Sequence, residues 1–244
     1  MTAPPTASAV IEEITALGPF FAVRTHPSGT APPEPWQRFT RALLEARVNG
    51  VRDSLAAMGG RPAGTVELRV AASVAHLGLA ARLVSPALAA AVLHGRVPAP
   101  RLAELRWQPV LGAPVPLSLP DDAFAGAPAR EPARLAELLS DRLLNGPLTE
   151  LADAMGEFSV SRHILWGNTA SAVNGAVTMI ASARPDLAPR IRALAALLHR
   201  TPPLRDTGTS APNGAFRRRS CCLIYRAAPD RKGPLCGDCA LSRT

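Results

Sequence analysis

The 244-residue sequence predicts a mainly α-helical protein: a helical body with a short extended or β element, and a small cysteine-rich segment at the C-terminus. Three observations carry this reading. Hydrophobic residues make up 47% of the chain but aromatics only 4%, and much of the apolar content is alanine, which suits closely packed helices better than a sheet rich in Val, Ile and Tyr. Apolar positions recur at intervals of three and four along several long stretches. Cys221, Cys222, Cys236 and Cys239 are the only cysteines, and all lie near the C-terminal end. A chain of this length buries a sizeable core without disulfides, so the cysteines are free for another task.

The elements follow in order. A short helix is expected over 9–17, ended by Gly18-Pro19, and the Pro/Gly/Ser-rich stretch from His26 to Pro35 reads as a loop. Between Trp36 and Met58, Leu44, Val48, Val51, Leu55 and Met58 fall on one helical face, and Gly59-Gly60 stops the helix. A helix over 67–84 follows, and Ser85-Pro86 is expected to cap it and open a second helix that runs to His94-Gly95. Residues 107–120 hold too many prolines for a helix and predict an extended connection or short hairpin around Gly112-Ala113, with a possible subdomain break near 107–131. Further helices are expected over 133–144, 148–158, 161–183 and 187–199, and then a turn-rich linker over 202–214. The division is a body over 1–204 and a cysteine segment over 205–244.

Charge and motifs narrow the chemistry. The chain holds 27 basic against 19 acidic residues, for a net +8, and Lys232 is the only lysine. Schiff-base and phosphate-loop lysine chemistry therefore has a single candidate, in a turn-like stretch. Gly-x-Gly-x-x-Gly, Walker A and His-Glu-x-x-His patterns are absent from the sequence, and the arginines lack the interleaved aromatics of a nucleic-acid binder, so no nucleic-acid partner is expected. The N-terminal residues carry no cation before Arg24, unlike a secretory signal. The apolar window 70–93 is interrupted by His76, Arg82 and Pro86, so no transmembrane helix is expected and the cytoplasm is the default location. In a reducing compartment, clustered cysteines read as metal ligands or redox thiols.

The cysteine pattern is Cys-Cys-x13-Cys-x2-Cys. Four thiolates suit a tetrahedral zinc or an iron–sulfur cluster, and the Cys-x2-Cys knuckle, with Gly237 permitting a tight turn, serves both. The adjacent pair favours the larger iron–sulfur rhomb, because neighbouring side chains diverge and seldom meet on one small ion. Zinc and a redox-active Cys-x2-Cys pair stay open on spacing alone.

The run Arg218-Arg219-Ser220-Cys221-Cys222-Leu223-Ile224-Tyr225-Arg226, followed by Leu235-Cys236-Gly237-Asp238-Cys239, resembles the C-terminal 2Fe–2S segment of the FhuF-like ferric-siderophore reductases. Similar stretches occur at 72–83, 85–88 and 166–172. The loop between pair and knuckle is longer than the family pattern, with Asp230-Arg231-Lys232 standing as an insertion, which adds only a few tenths of a kcal/mol of loop-closure entropy.

The resemblance implies a 2Fe–2S cluster on Cys221, Cys222, Cys236 and Cys239, and a one-electron transfer to a ferric siderophore, with the hydroxamate type expected. It also implies an electron donor such as a ferredoxin or reductase, and allows peripheral association with the inner membrane. Residues 201–244 carry eight cations and three acids, a net +5 that would steer an acidic donor or an anionic chelate. Arg217 and Arg219 are candidate substrate contacts, set against a solvated basic face. Arg82, on an apolar helix, is a candidate contact for the chelate, set against a salt bridge at a helix end. Trp166 and Asn168 are candidates for the pocket lining, with Gly167, Ala170 and Ala172 equally suited to close helix packing. His76 reads as a core or surface histidine, and Tyr225 as a shield over the cluster loop. The rival class is an iron- or redox-sensing regulatory protein with a zinc or cluster tail.

Overall fold

In the computed structural model, residues 7–211 and 215–242 are described; residues 1–6, residues 212–214 of the linker and residues 243–244 lie outside them. The chain begins with helix α1 (Ala7–Thr15), strand β1 (Arg24–His26) and strand β2 (Gln37–Arg38). Helix α2 spans Arg41–Met58, and α3 spans Leu68–His94. Strands β3 (Arg106–Trp107) and β4 (Leu117–Pro120) flank the expected turn. Helix α4 (Pro132–Leu139) runs on into the stretch Ser140–Leu148, which breaks at Gly146 (φ −101°, ψ −118°) just before Pro147, and α5 (Thr149–Gly156) starts after this kink, so the two helices expected here are separate. Helices α6 (Arg162–Ala183) and α7 (Ala188–His199) complete the body. The tail holds β5 (Gly208–Ser210), β6 (Phe216–Arg218) and a 3-10 turn over Ile224–Ala227.

The helix expected from Trp36 begins only at Arg41, where the Thr40 hydroxyl accepts from the Leu43 amide as an N-cap, and Gln37–Arg38 pairs as a strand instead. A larger correction concerns Ser85-Pro86. No corner forms there, and α3 is one 27-residue helix with Pro86 in its interior. A mid-helix proline costs about 3 kcal/mol. Burial on both sides offsets it: Val84, Leu88, Ala89, Ala90, Ala91 and Val92 are all 0% exposed, and each buried Val or Leu contributes about 1.5–3 kcal/mol. Helix α3 is long and apolar enough to cross a membrane, but it forms the centre of the bundle with most of its surface covered by α1, α2 and α6. Gly95 ends it in a left-handed conformation (φ 67°), where any Cβ would lie 2.2 Å from the Ala129 carbonyl oxygen.

The four short strands form a sheet of order β1-β4-β3-β2, with β1 parallel to β4 and the other pairs antiparallel. The core runs without interruption from Val10 to Phe216 and takes in Trp107, Leu117, Leu119 and Phe124, so the stretch near 107–131 packs into the body. The tail docks on that body. Phe216 joins the core and stacks on His199 of α7 at 5.0 Å between ring centroids.

Burial holds the His199 pKa near 4, below its ordinary 6.5. Above pH 6.5 the imidazole is neutral whether the chain is folded or not. Between pH 6.5 and 4 the unfolded chain binds a proton that the folded chain resists, so stability falls as pH falls. The expected loss is up to about 3 kcal/mol at pH 4, and urea titrations of His199→Phe should show that much less acid sensitivity than the parent.

Candidate metal centre

Strand alternation sets the site. In β6, Phe216 and Arg218 point inward while Arg217 lies half-buried on the other face. Next come Ser220, 5% exposed, and the cysteine pair; Leu223 then takes a left-handed conformation (φ 69°) that turns the chain sharply. The turn aims backbone amides at sulfur: the Leu223 N–H donates to Cys221 Sγ at 3.3 Å, and the Ile224 amide faces Cys222. On the knuckle, the Leu241 N–H donates to Cys239 Sγ at 3.3 Å, and the Cys239 N–H closes the turn onto the Cys236 carbonyl at 3.2 Å. Gly237 does not need its glycine freedom here, since its φ is not positive and open space stands where a Cβ would be. The 230–232 insertion forms an exposed turn, closed by Gly233 N–H on the Tyr225 carbonyl at 2.8 Å. Tyr225 is half-buried, and its backbone carbonyl fastens the loop.

Two helices of the body hold this segment by specific contacts. The Ser73 hydroxyl of α3 donates to the Cys222 carbonyl at 2.9 Å, and Asn168 Nδ2 of α6 donates to both the carbonyl and hydroxyl of Ser73, at 2.9 and 3.1 Å. Arg226 is paired with Glu67 at 2.7 Å, just before α3 begins. At Gly167, a Cβ would lie 2.1 Å from Ser220 Oγ and 3.1 Å from Arg218 Nη2, so any side chain here obliges Ser220 to move and crowds Arg218.

The four thiols are free, with Cys222 and Cys239 each 2% exposed and Cys221 and Cys236 half-buried. They lie within one another's field. The Cys236 thiol donates to Cys222, which drives the Cys222 pKa down and that of Cys236 up; the Ile224 amide and the Arg218 guanidinium add to the fall at Cys222. Burial raises Cys221. Among the described residues, no three metal-ligating side chains close around a single point as the ligands of one ion do.

Arg218 is the residue that reading the sequence missed. It is 2% exposed, and its Nε and Nη1 have no partner, while Nη2 reaches the Ile164 carbonyl at 3.3 Å. Its charge acts on Cys221, Cys222, Cys236, Asp238 and His76. A buried cation with orphaned donors beside four thiols is the complement of an anionic thiolate-bound centre, and the donor set fits an iron–sulfur cluster. The period-two alternation that places Phe216 inward was the available signal.

The other candidates fall elsewhere. Arg82 is 2% exposed, and its guanidinium donates to the carbonyls of Val115, Phe20 and Ala22, which ties the segment before β4 and the chain after α1 to α3. Trp166 is 7% exposed and part of the core, and Asn168 is wholly buried as the bracket for Ser73. Arg217 ties the chain end by donating to the carbonyls of Ala240 and Ser242, and Arg219 pairs with Asp206 at 3.4 Å on the surface. His76 is fully buried without a hydrogen-bond partner, and burial together with Arg218 lowers its pKa to about 3.

A groove of about 500 Å³ opens between α3 and α6. Its floor is Arg218, Cys236, Gly237 and Asp238, and its walls are mostly small residues such as Gly78, Ala81, Ala172 and Gly175. The Ser85 hydroxyl, buried and unpartnered, borders it, and Ser171 sits beside the Asp238 carboxyl, whose pKa burial raises.

Residues 218–241 match the family model of the FhuF 2Fe–2S C-terminal domain, a span that starts at Arg218 and contains all four cysteines. No curated protein matches the chain. The cysteine-rich segment is accordingly a 2Fe–2S domain of the FhuF type, mounted on a helical body.

Proposed function

We propose that the protein is a ferric-siderophore reductase of the cytoplasm, with Cys221, Cys222, Cys236 and Cys239 as cluster ligands and the groove between α3 and α6 as the seat of the ferric chelate. The observation that carries this reading is the groove floor: Cys236, the half-buried ligand candidate, faces an open cavity large enough for much of a small chelate. A bound 2Fe–2S cluster supplies single electrons. The chain's own residues do the rest. Apolar walls exclude water and suit a chelate with a neutral exterior, such as a ferric trihydroxamate, better than a highly charged one. One electron converts chelated Fe(III) to Fe(II), whose lower charge loosens the hard oxygen ligands and releases the ion. The electron is replaced by a reduced protein donor such as a ferredoxin, and exposed Arg205, Arg231 and Lys232 give the tail a positive face for an acidic one.

Arg218 holds positive charge where an added electron would lodge. In Arg218→Gln the loaded protein should therefore be harder to reduce, with a lower midpoint potential in an anaerobic titration followed by EPR; an unchanged potential would deny Arg218 that role.

The function is tested by mixing dithionite-reduced, cluster-loaded protein with a ferric trihydroxamate while trapping Fe(II). Stoichiometric reoxidation is expected. No reoxidation by the chelate, with normal reoxidation by ferricyanide, would contradict the proposal. Gly175→Leu fills the groove, since no atom lies within 4 Å of the place a Cβ would take there, and it also improves helix propensity. It should slow the chelate reaction by about tenfold or more, the effect of about 1.4 kcal/mol, and leave the ferricyanide reaction unchanged.

A further inference from the structure

A second cavity, of about 450 Å³, lies at the sheet and shares no residue with the groove. Its lining includes Arg38, Arg106, Arg142 and His26. Arg38 and Arg106 stand directly opposite each other on antiparallel strands β2 and β3, a placement in which like charges destabilise a sheet. Their guanidinium groups converge on one neutral acceptor: the Thr30 carbonyl takes Arg106 Nη2 at 2.6 Å and Arg38 Nη2 at 3.2 Å. Arg106 is only 5% exposed. Arg142 donates to the Val97 carbonyl at 3.2 Å. Among the described residues, none of these three arginines has a carboxylate within ion-pair distance. The two carboxylates at the rim are turned to other donors, Glu104 to the Arg101 amide at 2.7 Å and Asp122 to the Ser28 hydroxyl at 2.6 Å. Burial, and after it the charges of Arg106 and Arg38, lower the His26 pKa from its ordinary value, while the Glu104 backbone and the Asp121 carboxylate act the other way.

A nearly buried guanidinium without a counter-ion, opposite a second one and beside a third, lacks an anion that the chain does not supply. We infer that this cavity binds a small molecule bearing an oxyanion, a carboxylate or phosphate group seated among Arg38, Arg106 and Arg142. Planar guanidinium forks match both groups, and the volume is that of a small-molecule site. The site is separate from the chelate groove, so its ligand is a second molecule, independent of the electron-transfer reading.

Isothermal titration of the cluster-loaded protein at constant ionic strength, with inorganic pyrophosphate in one arm and citrate in the other, tests the inference and separates the two sources. Saturable binding of either probe is expected, weakened about tenfold or more in Arg38→Gln and in Arg142→Gln, with circular dichroism checking that each variant is folded. Arg38 is exposed and Arg142 half-buried, so neither substitution empties the core. Saturation by pyrophosphate alone assigns a phosphate ligand, and by citrate alone a carboxylate ligand. No saturable binding of either probe, or undiminished binding in both variants, would overturn it.

Discussion

Gly167→Val should leave the helical body folded and lose most of the cluster. The substituted helix α6 would thrust a side chain into the space held by Ser220 Oγ, 2.1 Å from a Cβ at this position, and by the buried Arg218 guanidinium. The segment that carries Cys221 and Cys222 cannot retreat cheaply, because Cys222 is fastened to Ser73 and Phe216 is packed in the core. Overpacking of this kind costs about 1–3 kcal/mol, enough to undock a short segment held by a few contacts. Iron bound per chain should drop several-fold while helical circular dichroism is retained. Gly167→Ala should show a milder form of the defect, and Ser220→Ala, which removes the clashing oxygen, should relieve it. Full cluster content in Gly167→Val would contradict the proposed docking.

Cys222→Ser should have the largest effect of any single substitution in the tail. Cys222 is buried, accepts from the Cys236 thiol, and faces both the Ile224 amide and the Arg218 charge, which together hold its pKa below the ordinary thiol value. A serine hydroxyl stays protonated there and is a poor ligand for a centre that binds thiolates. The expected outcome is nearly colourless protein with bound iron reduced more than about tenfold. Arg218 would then be a buried cation with still less to oppose it, and the tail should also become more open to proteolysis. Thermal unfolding of the body should shift little, since Cys222 lies outside its core.

The sequence made some of this legible and concealed the rest for physical reasons. Cysteine spacing marked the metal centre because ligand chemistry is carried by residue type, and it needs no knowledge of packing. Helical periodicity likewise located α2 and the first half of α3, and Pro185 and Pro202-Pro203 marked the ends of α6 and α7. It failed at Pro86, where local stereochemistry argued for a corner and burial of residues on both sides kept the helix whole. Polarity on an apolar background singled out Arg82 but does not reveal the partners of a buried polar side chain. Arg82 and Asn168 are tied to backbone carbonyls across 33 and 95 positions of chain, partners that no local pattern reveals. Among Arg217, Arg218 and Arg219 composition offers no choice; only strand alternation, read outward from Phe216, selects the middle one. The groove was invisible because its small residues look the same in sequence whether they admit a neighbouring helix or a ligand.

The central claim is that four cysteines, cradled by α3 and α6, hold a 2Fe–2S centre. The most direct measurement is iron, acid-labile sulfide and zinc content, with the visible spectrum, of protein purified without oxygen. Coloured protein with about two irons and two sulfides per chain is the predicted result; colourless protein with one zinc and no sulfide would contradict the account.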